Sequence, residues 1–457
     1  MRLIPEVSSL FSAKAAVPLR ARALAICAIA ALAVCAPARA VDLLQVYKDA
    51  LANDAVYASA RYAAVAGDEK LPQGRAGLLP SVGVGGSYQR QVIDSDISGQ
   101  NLNRAANTNG YTLSISQPLF RAVNWETYEQ GKLQVLLSQA QFAQAHLDLM
   151  VRVSQAYFDV LAAIDVLSSV RAQKVAITEQ LASAKRNFEV GTTTITDTHE
   201  DQARYDLVVA QEFAAINDLE IKRTALQQII GKPVGDLAAL QPGVQLTPPE
   251  PMAIDQWVDT AVVSNFNVIS QDLAREIANR EVKKGRAGHY PTVDLIASRA
   301  HSNQDAATLT SAANITNSSN IGVQWNIPLF SGLAVNSRVR ETIALEERAR
   351  ADLENARRTA AQNARQAFLG VNNGLAQVKA LEAAEISSQS ALESNRLGYE
   401  VGVRINIDVL NAQQQLYITR RDLSRARYDT VMNGLRLKAA AGVLEEADLE
   451  LTNQQLR

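Results

Sequence analysis

The sequence predicts a mixed fold in which a membrane β-barrel is joined to long α-helices, with each chain supplying only part of the barrel. Three observations lead to this prediction. The chain repeats itself at a nearly constant offset of 211 residues, each repeat has long stretches without glycine or proline, and each has a pair of strands with one apolar and one polar face. The predicted protomer is therefore internally duplicated, with four strands and long coiled-coil helices. The barrel closes only when several copies of the chain associate.

The first 40 residues are predicted to be a signal peptide. A basic segment ending at Arg22 precedes an uncharged stretch, residues 23–37, and residues 38–40 (ARA) have the small-x-small pattern of a cleavage site. Removal of this segment takes away five basic residues and one acidic residue, so the formal charge changes from −2 to −6. We expect an exported protein, and nothing in this acidic chain indicates a nucleic-acid partner.

Matching motifs mark the duplication. GRAG at residues 74–77 recurs at residues 285–288, and Asp197 in the first half matches Asp408 in the second. A proline-rich segment lies between the halves and forms their natural boundary. The chain is therefore predicted to divide into a first repeat (residues 41–231), a linker (232–257), a second repeat (258–442) and a C-terminal tail (443–457).

The long helical stretches are the least globular feature. No glycine or proline occurs from Lys132 to Val190, which would allow a helical rod of about 90 Å. Apolar residues in this stretch alternate in spacing between four and three, as in a coiled coil, at Val153, Tyr157, Val160, Ile164 and Leu167. Helices with this apolar seam must pack against neighbouring helices to bury it.

The strands have the opposite periodicity. Ile321, Val323 and Trp325 alternate with polar residues, which is typical of a sheet with one apolar and one polar face. Four strands cannot close a membrane barrel, and an open edge in lipid would leave backbone groups without partners. A closed barrel could be formed by two, three or four copies of the chain together. The predicted strands cover residues 81–93, 110–118, 292–302 and 320–328, with polar loops at 94–109 and 303–320.

The sequence has no recognisable catalytic pattern. The four histidines are scattered, and none has metal-ligand spacing with another histidine or a cysteine. The chain also lacks a phosphate-binding Gly-Lys-Ser/Thr loop and a Gly-x-Ser-x-Gly elbow. We therefore predict that the protein is not an enzyme and has no catalytic residue, cofactor or metal site.

Three segments carry a family resemblance. Residues 156–167 (AYFDVLAAIDVL), residues 270–276 (SQDLARE), and residues 398–402 (GYEVG) followed by 408–410 (DVL) resemble the TolC-type outer-membrane channel family in order and spacing. The resemblance covers nearly the whole mature chain. It implies a homotrimer in outer-membrane lipid, with a twelve-stranded β-barrel, a helical barrel through the periplasm, and the linker in an equatorial region.

The resemblance also implies a function. Members of the family are passive exit ducts of tripartite efflux pumps or type I secretion systems, and their partners are a periplasmic adaptor and an inner-membrane transporter. The sequence does not identify the cargo, the pump or whether several pumps share the duct. Because the chain shows no nucleotide site, transport through it is expected to be passive.

The same resemblance implies which residues close the periplasmic entrance. Thr196, Asp197, Tyr399 and Arg404 match family positions that tie the closed entrance by hydrogen bonds and ion pairs. Asp408, present once per subunit, would form a ring of carboxylates around the axis of a trimer at its narrowest point.

Two positions depart from the family pattern. Arg186 stands where the family can show a glutamine on the helix before the first turn, so a charged link can replace that contact. Asn411 stands where a second aspartate can occur, so the acidic ring is single and cation block should be weaker.

The polar residues of the two turns can also be given a local interpretation, as helix caps. Gly191 and Gly402 suit helix C-termini, and Asp197 with Glu200 has the spacing of a capping box. Both Asp197 and Asp408 can therefore serve as helix caps. The two interpretations are compatible.

The alternative function is that of a periplasmic adaptor, which also has helical hairpins and a signal peptide. An adaptor needs one hairpin flanked by small β-domains, whereas here both the hairpin and the strand pair are duplicated. A purely structural coiled-coil protein would leave the strands unexplained.

Overall fold

The computed structural model describes residues 40–97, 100–241, 243–306 and 312–456. All but the last residue of the predicted signal peptide lies outside these ranges. In the first half the elements are α1 (Leu43–Asn53), α2 (Ala55–Asp68), α3 (Lys70–Ala76), β1 (Ser81–Ile97), β2 (Gln100–Phe120), α4 (Ala122–Glu189) and α5 (Ile195–Ile230). In the second half they are α6 (Ile254–Ser264), α7 (Phe266–Arg286), β3 (Thr292–Gln304), β4 (Asn314–Asn326), α8 (Ala334–Glu400), α9 (Asn406–Ala440) and α10 (Glu446–Asn453).

The four strands form one antiparallel sheet in the order β1-β2-β3-β4. Both edges, β1 and β4, are open in the single chain. An edge strand carries a row of backbone donors and acceptors that need partners in lipid. The prediction that the barrel requires other copies of the chain is therefore confirmed.

The strands extend further than the sequence pattern indicates. Strand pairing continues through residues predicted to be a polar loop, with Asp94 opposite Asn103 and Asp96 opposite Asn101. The β3–β4 pair likewise begins at Asn314 rather than at residue 320. A ladder of backbone hydrogen bonds does not require apolar side chains where both faces of the hairpin meet water, so alternation of hydrophobicity underestimates its length.

The helices form two long antiparallel pairs. α4 has 68 residues and α8 has 67, so each measures about 100 Å. α5 returns along the half of α4 that is distant from the sheet, α9 does the same along α8, and α7 packs on α4 and α8 near the sheet. Glu281 of α7 joins these helices, since it accepts hydrogen bonds from Gln130 at 2.9 Å and from Arg338 at 2.9 Å.

No helix in the described ranges has an apolar stretch of the length needed to cross a membrane.

The main hydrophobic core lies midway along the helices. Tyr157 and Phe158 of α4 are buried there, and the Phe158 ring lies 5.7 Å from that of Tyr428 on α9. The Tyr157 hydroxyl donates to the backbone carbonyl of Ala238 at 2.7 Å, which fixes the segment between α5 and α6 against the helices. Short backbone bridges join that segment to the two ends of the folded chain. The two halves are thereby held together at one level.

Candidate pore entrance at the helical tips

The two tips of the helical pairs are built alike. Gly191 and Gly402 have φ angles of +78° and +76°, a conformation that favours glycine and ends each long helix. The amide of Thr192 donates to Asn187 at 2.8 Å in the first turn, and the amide of Val403 donates to Gly398 at 2.9 Å in the second. The predicted glycine C-termini are present, and the duplicated sequence gives a duplicated backbone turn.

The capping of the returning helices differs from the prediction. Thr194, not Asp197, is the N-cap of α5: its hydroxyl accepts from the Asp197 amide at 3.3 Å, and the Asp197 carboxylate accepts from the Thr194 amide at 3.2 Å. Asp197 is thus the third helical residue of the capping box, and the predicted pairing of Asp197 with Glu200 is wrong. Thr194 with Asp197, and Asp197 with Glu200, both have the three-residue spacing of a capping box. The backbone conformation shows that the helix begins after Thr194.

The second tip has a different polar arrangement. Ile405 occupies the N-cap of α9 and supplies no side-chain cap. The Asp408 carboxylate instead lies 3.6 Å from the Arg404 guanidinium, one helical turn away. Asp408 therefore does not cap its helix, which corrects that part of the local interpretation. Its charge is partly offset by an exposed arginine.

The remaining predicted residues are distributed around the tips. Thr196 and Arg186 are exposed on the first hairpin, and Tyr399 is half-buried between the hairpins. Asn411 accepts a hydrogen bond from Arg204 of the first hairpin at 2.9 Å. Within the described part of this chain, Arg404 and Tyr399 make no hydrogen bond to Thr196 or Asp197.

A polar cluster that the sequence did not predict joins the two hairpins. Asp201 of α5 is completely buried and accepts a hydrogen bond from Asn406 of α9 at 2.9 Å. Asn406 in turn accepts from Gln180 of α4 at 2.7 Å. These side chains line a groove of about 1000 Å³ between the tips, together with Asp197 and Tyr399. Asp201 and Asn406 therefore connect the two hairpins of the chain at their tips.

The electrostatics of this cluster are unusual for a surface hairpin. Burial raises the pKa of Asp201 above its ordinary value, and the nearby negative charges of Asp197 and Glu200 add to this, whereas the hydrogen bond from Asn406 opposes it. The second carboxylate oxygen, Oδ2, is buried without a hydrogen-bond partner in the described structure. Burial also raises the pKa of Tyr399, and the charges of Asp197 and Asp201 act in the same direction. The groove therefore disfavours further negative charge.

Metal binding has no support at this site. No group of three or more histidine, cysteine, aspartate or glutamate side chains suited to a metal ion is found among the residues that the structure describes.

The fold and the paired tips define a class of protein, an outer-membrane channel with a periplasmic helical tunnel. The model of the outer membrane efflux protein family matches residues 46–232 and 257–443. The chain belongs to that family, and the predicted TolC-type channel is confirmed.

Individual relatives agree with this assignment. The alkaline protease secretion protein AprF of Pseudomonas aeruginosa is 34% identical over 420 residues, which cover 90% of this chain and 86% of AprF. Outer membrane protein TolC of Escherichia coli is 32% identical over 429 residues, which cover 92% of this chain and 85% of TolC. The solved Campylobacter jejuni CmeC outer membrane channel has the same fold, with a TM-score of 0.77 at 18% identity over 91% of this chain and 90% of CmeC. None of these supports the periplasmic adaptor alternative.

Proposed function

We propose that three copies of this chain form a passive duct across the outer membrane and periplasm. The observation that carries the proposal is the four-stranded sheet with two open edges, attached to helical pairs about 100 Å long. Three copies would close a twelve-stranded barrel and would place the helices around one axis. The division into residues 41–231, 232–257, 258–442 and 443–457 belongs to the same proposal.

The partners follow from the same assignment. A duct of this kind has no energy source of its own and takes its cargo from an inner-membrane transporter through a periplasmic adaptor. The chain itself would then catalyse no reaction and bind no cofactor. Its relatives include proteins named for protease secretion and for efflux, so the proposal specifies a duct and leaves the cargo open.

We further propose that the tips form the periplasmic gate. Arg404 and Tyr399 of one helical hairpin would contact Thr196 and Asp197 of a neighbouring hairpin, with Asp408 as the acidic ring. Arg186 and Asn411 flank this contact and modify it. The support is their common position at the two tips, where the groove between the hairpins brings Asp197, Tyr399 and Arg404 together.

The purified protein is expected to be an oligomer, because four strands with two open edges cannot close a barrel alone, and the likeness to TolC-type channels implies a trimer. Mass measurement of the purified protein in detergent, corrected for bound detergent, tests this. A folded monomer in the membrane would contradict the proposed barrel, and a dimer or tetramer would contradict the number of subunits.

Cation selectivity is the expected electrical property of the duct. The mature chain carries a formal excess of acid, and a ring of Asp408 carboxylates at the constriction would attract cations. Reversal potentials in a salt gradient should show this preference, and Asp408→Asn should reduce it. Asp429→Asn is the matched control, since Asp429 forms a similar pair with Arg425 at 3.7 Å far from the tip. Anion selectivity of the unmodified protein would contradict the prediction.

A further inference from the structure

The strand register places one apolar surface on the sheet. Directly opposite residues share a face, and the row Val82, Ile115, Ala297 and Ile321 crosses all four strands. The other face carries small and polar residues such as Ser114. In a membrane barrel the apolar face meets lipid and the polar face lines the lumen.

Arg299 is the exception on the apolar face. It lies on β3 between Leu113 of β2 and Ser319 of β4, and it is exposed. No acidic side chain stands opposite it, and within the described ranges its guanidinium has no hydrogen bond or ion pair. A charge that faces hydrocarbon without a partner costs free energy, and this cost is smallest near the membrane surface.

The next row along the strands provides a second polar group. His301 follows Arg299 on the same face and stacks on Tyr111 with ring centroids 5.2 Å apart. Its Nδ1 lies 2.7 Å from the amide oxygen of Asn317, so the ring is held by two neighbouring strands. With Nδ1 engaged by Asn317, Nε2 is the ring nitrogen that remains for a ligand within the described structure.

The strand register gives the depth of Arg299 and His301 in the membrane. The row of Val293 and Trp325 lies at the helical end of the sheet, and the row of His301 lies eight residues further along β3. This separation is about 26 Å along the strand, or about 20 Å along the membrane normal at the usual strand tilt, which approaches the height of an apolar band. Aromatic residues, Trp325 and Tyr111, mark both borders. Because the helices are periplasmic, Arg299 and His301 lie at the outer border.

We propose that Arg299 and His301 form a binding site for the phosphate group of a lipid in the outer leaflet. The site deepens the outer-membrane assignment by naming a lipid class that the barrel surface recognises. An arginine two residues inside the aromatic border can extend its guanidinium outward to a headgroup phosphate and leave its methylenes among acyl chains. The rigidly held imidazole supplies the second contact. Two strands and the ring stack thus position the imidazole before the lipid arrives, and the Arg299 guanidinium can extend toward the same phosphate.

The test uses the full-length oligomer in discs of zwitterionic phospholipid that contain either a bis-phosphorylated glycolipid or the same glycolipid without phosphate. Native mass spectrometry counts the glycolipids retained. We expect the unmodified protein to prefer the phosphorylated form by about tenfold or more. Arg299→Gln should abolish the preference, and Arg299→Lys should keep part of it.

The matched control is Arg90→Gln. Arg90 is exposed on the same face of β1, opposite Asn107, and lies about 13 Å along the strand from the His301 row, or about 10 Å further out along the membrane normal. This variant should retain lipid as the unmodified protein does. The proposal is overturned if the unmodified protein shows no preference, if Arg299→Gln keeps it, if Arg90→Gln loses it equally, or if millimolar inorganic phosphate displaces the glycolipid. If Arg299→Gln fails to assemble, loss of the preference in His301→Gln decides for the site and its retention decides against it.

Discussion

Replacement of Arg404 by serine together with Tyr399 by phenylalanine is expected to raise the single-channel conductance several-fold. The only ion pair of Arg404 within the described part of its own chain is the exposed contact with Asp408 at 3.6 Å. Exposed pairs of this kind contribute about 0.2–1 kcal/mol, so this pair does not prevent the guanidinium from reaching a neighbouring hairpin. In the proposed trimer, loss of a guanidinium and a phenolic hydroxyl from each subunit would remove up to six such links, enough to shift the population toward the open entrance.

The experiment compares conductance in planar bilayers at equal trimer yield. The phenyl ring is kept because Tyr399 is half-buried between the hairpins. Arg425→Ser serves as the control, since Arg425 has the same one-turn pairing with an aspartate of α9 but lies far from the tip. Unchanged conductance from a well-assembled double mutant would falsify the gate assignment and would leave these residues as surface contacts.

The second large effect is expected from Asp201→Asn, which should remove the pH dependence of the entrance. Burial raises the pKa of Asp201 in the contact between the two hairpins. We propose that this contact belongs to the closed entrance, where it binds the proton more tightly than separated, hydrated hairpins would. Its stability is fully present below the ordinary aspartate pKa of about 3.9 and is lost as the pH rises through the raised pKa. Conductance of the unmodified channel should accordingly increase with pH in that range.

Asparagine keeps an oxygen that can accept from Asn406 but cannot ionise. The variant should therefore show low conductance with a flat pH profile. Asp206→Asn is the control, because Asp206 lies on the same helix, is exposed, and among the residues that the structure describes accepts a single hydrogen bond, from the Gln202 amide at 3.0 Å. If Asp201→Asn and the unmodified protein have the same pH profile, the buried carboxyl does not bias the entrance.

The features that sequence predicted well are those set by local patterns. Gly191 and Gly402 end helices because of their own backbone freedom, and the long glycine-free stretches form helices wherever they find neighbours. The duplicated motifs predicted that the two halves have the same order of helices and strands. The length of the β1–β2 hairpin could not be predicted, since polar and apolar residues do not alternate regularly in its distal part, where the strands are still joined by the backbone ladder.

The candidate site shows where sequence patterns are insufficient. Asp201 is four residues after Asp197 and resembles any solvated helical carboxylate in the sequence. Its burial arises only because α9 crosses it with Asn406, some 200 residues later in the chain. A register comparison of the two repeats could have aligned the hairpins, but not shown which polar side chains meet between them.

The open edges of the sheet also have a genetic consequence. Since neither β1 nor β4 is paired within the chain, every subunit of a trimer would depend on both of its neighbours for a closed wall. A chain that can associate but has a blocked tip would inactivate every channel that contains it. With equal expression of normal and blocked chains, only about one assembly in eight would contain normal chains alone. Defects in the tips should therefore be dominant, whereas defects that prevent strand pairing should be recessive because such chains never join a barrel.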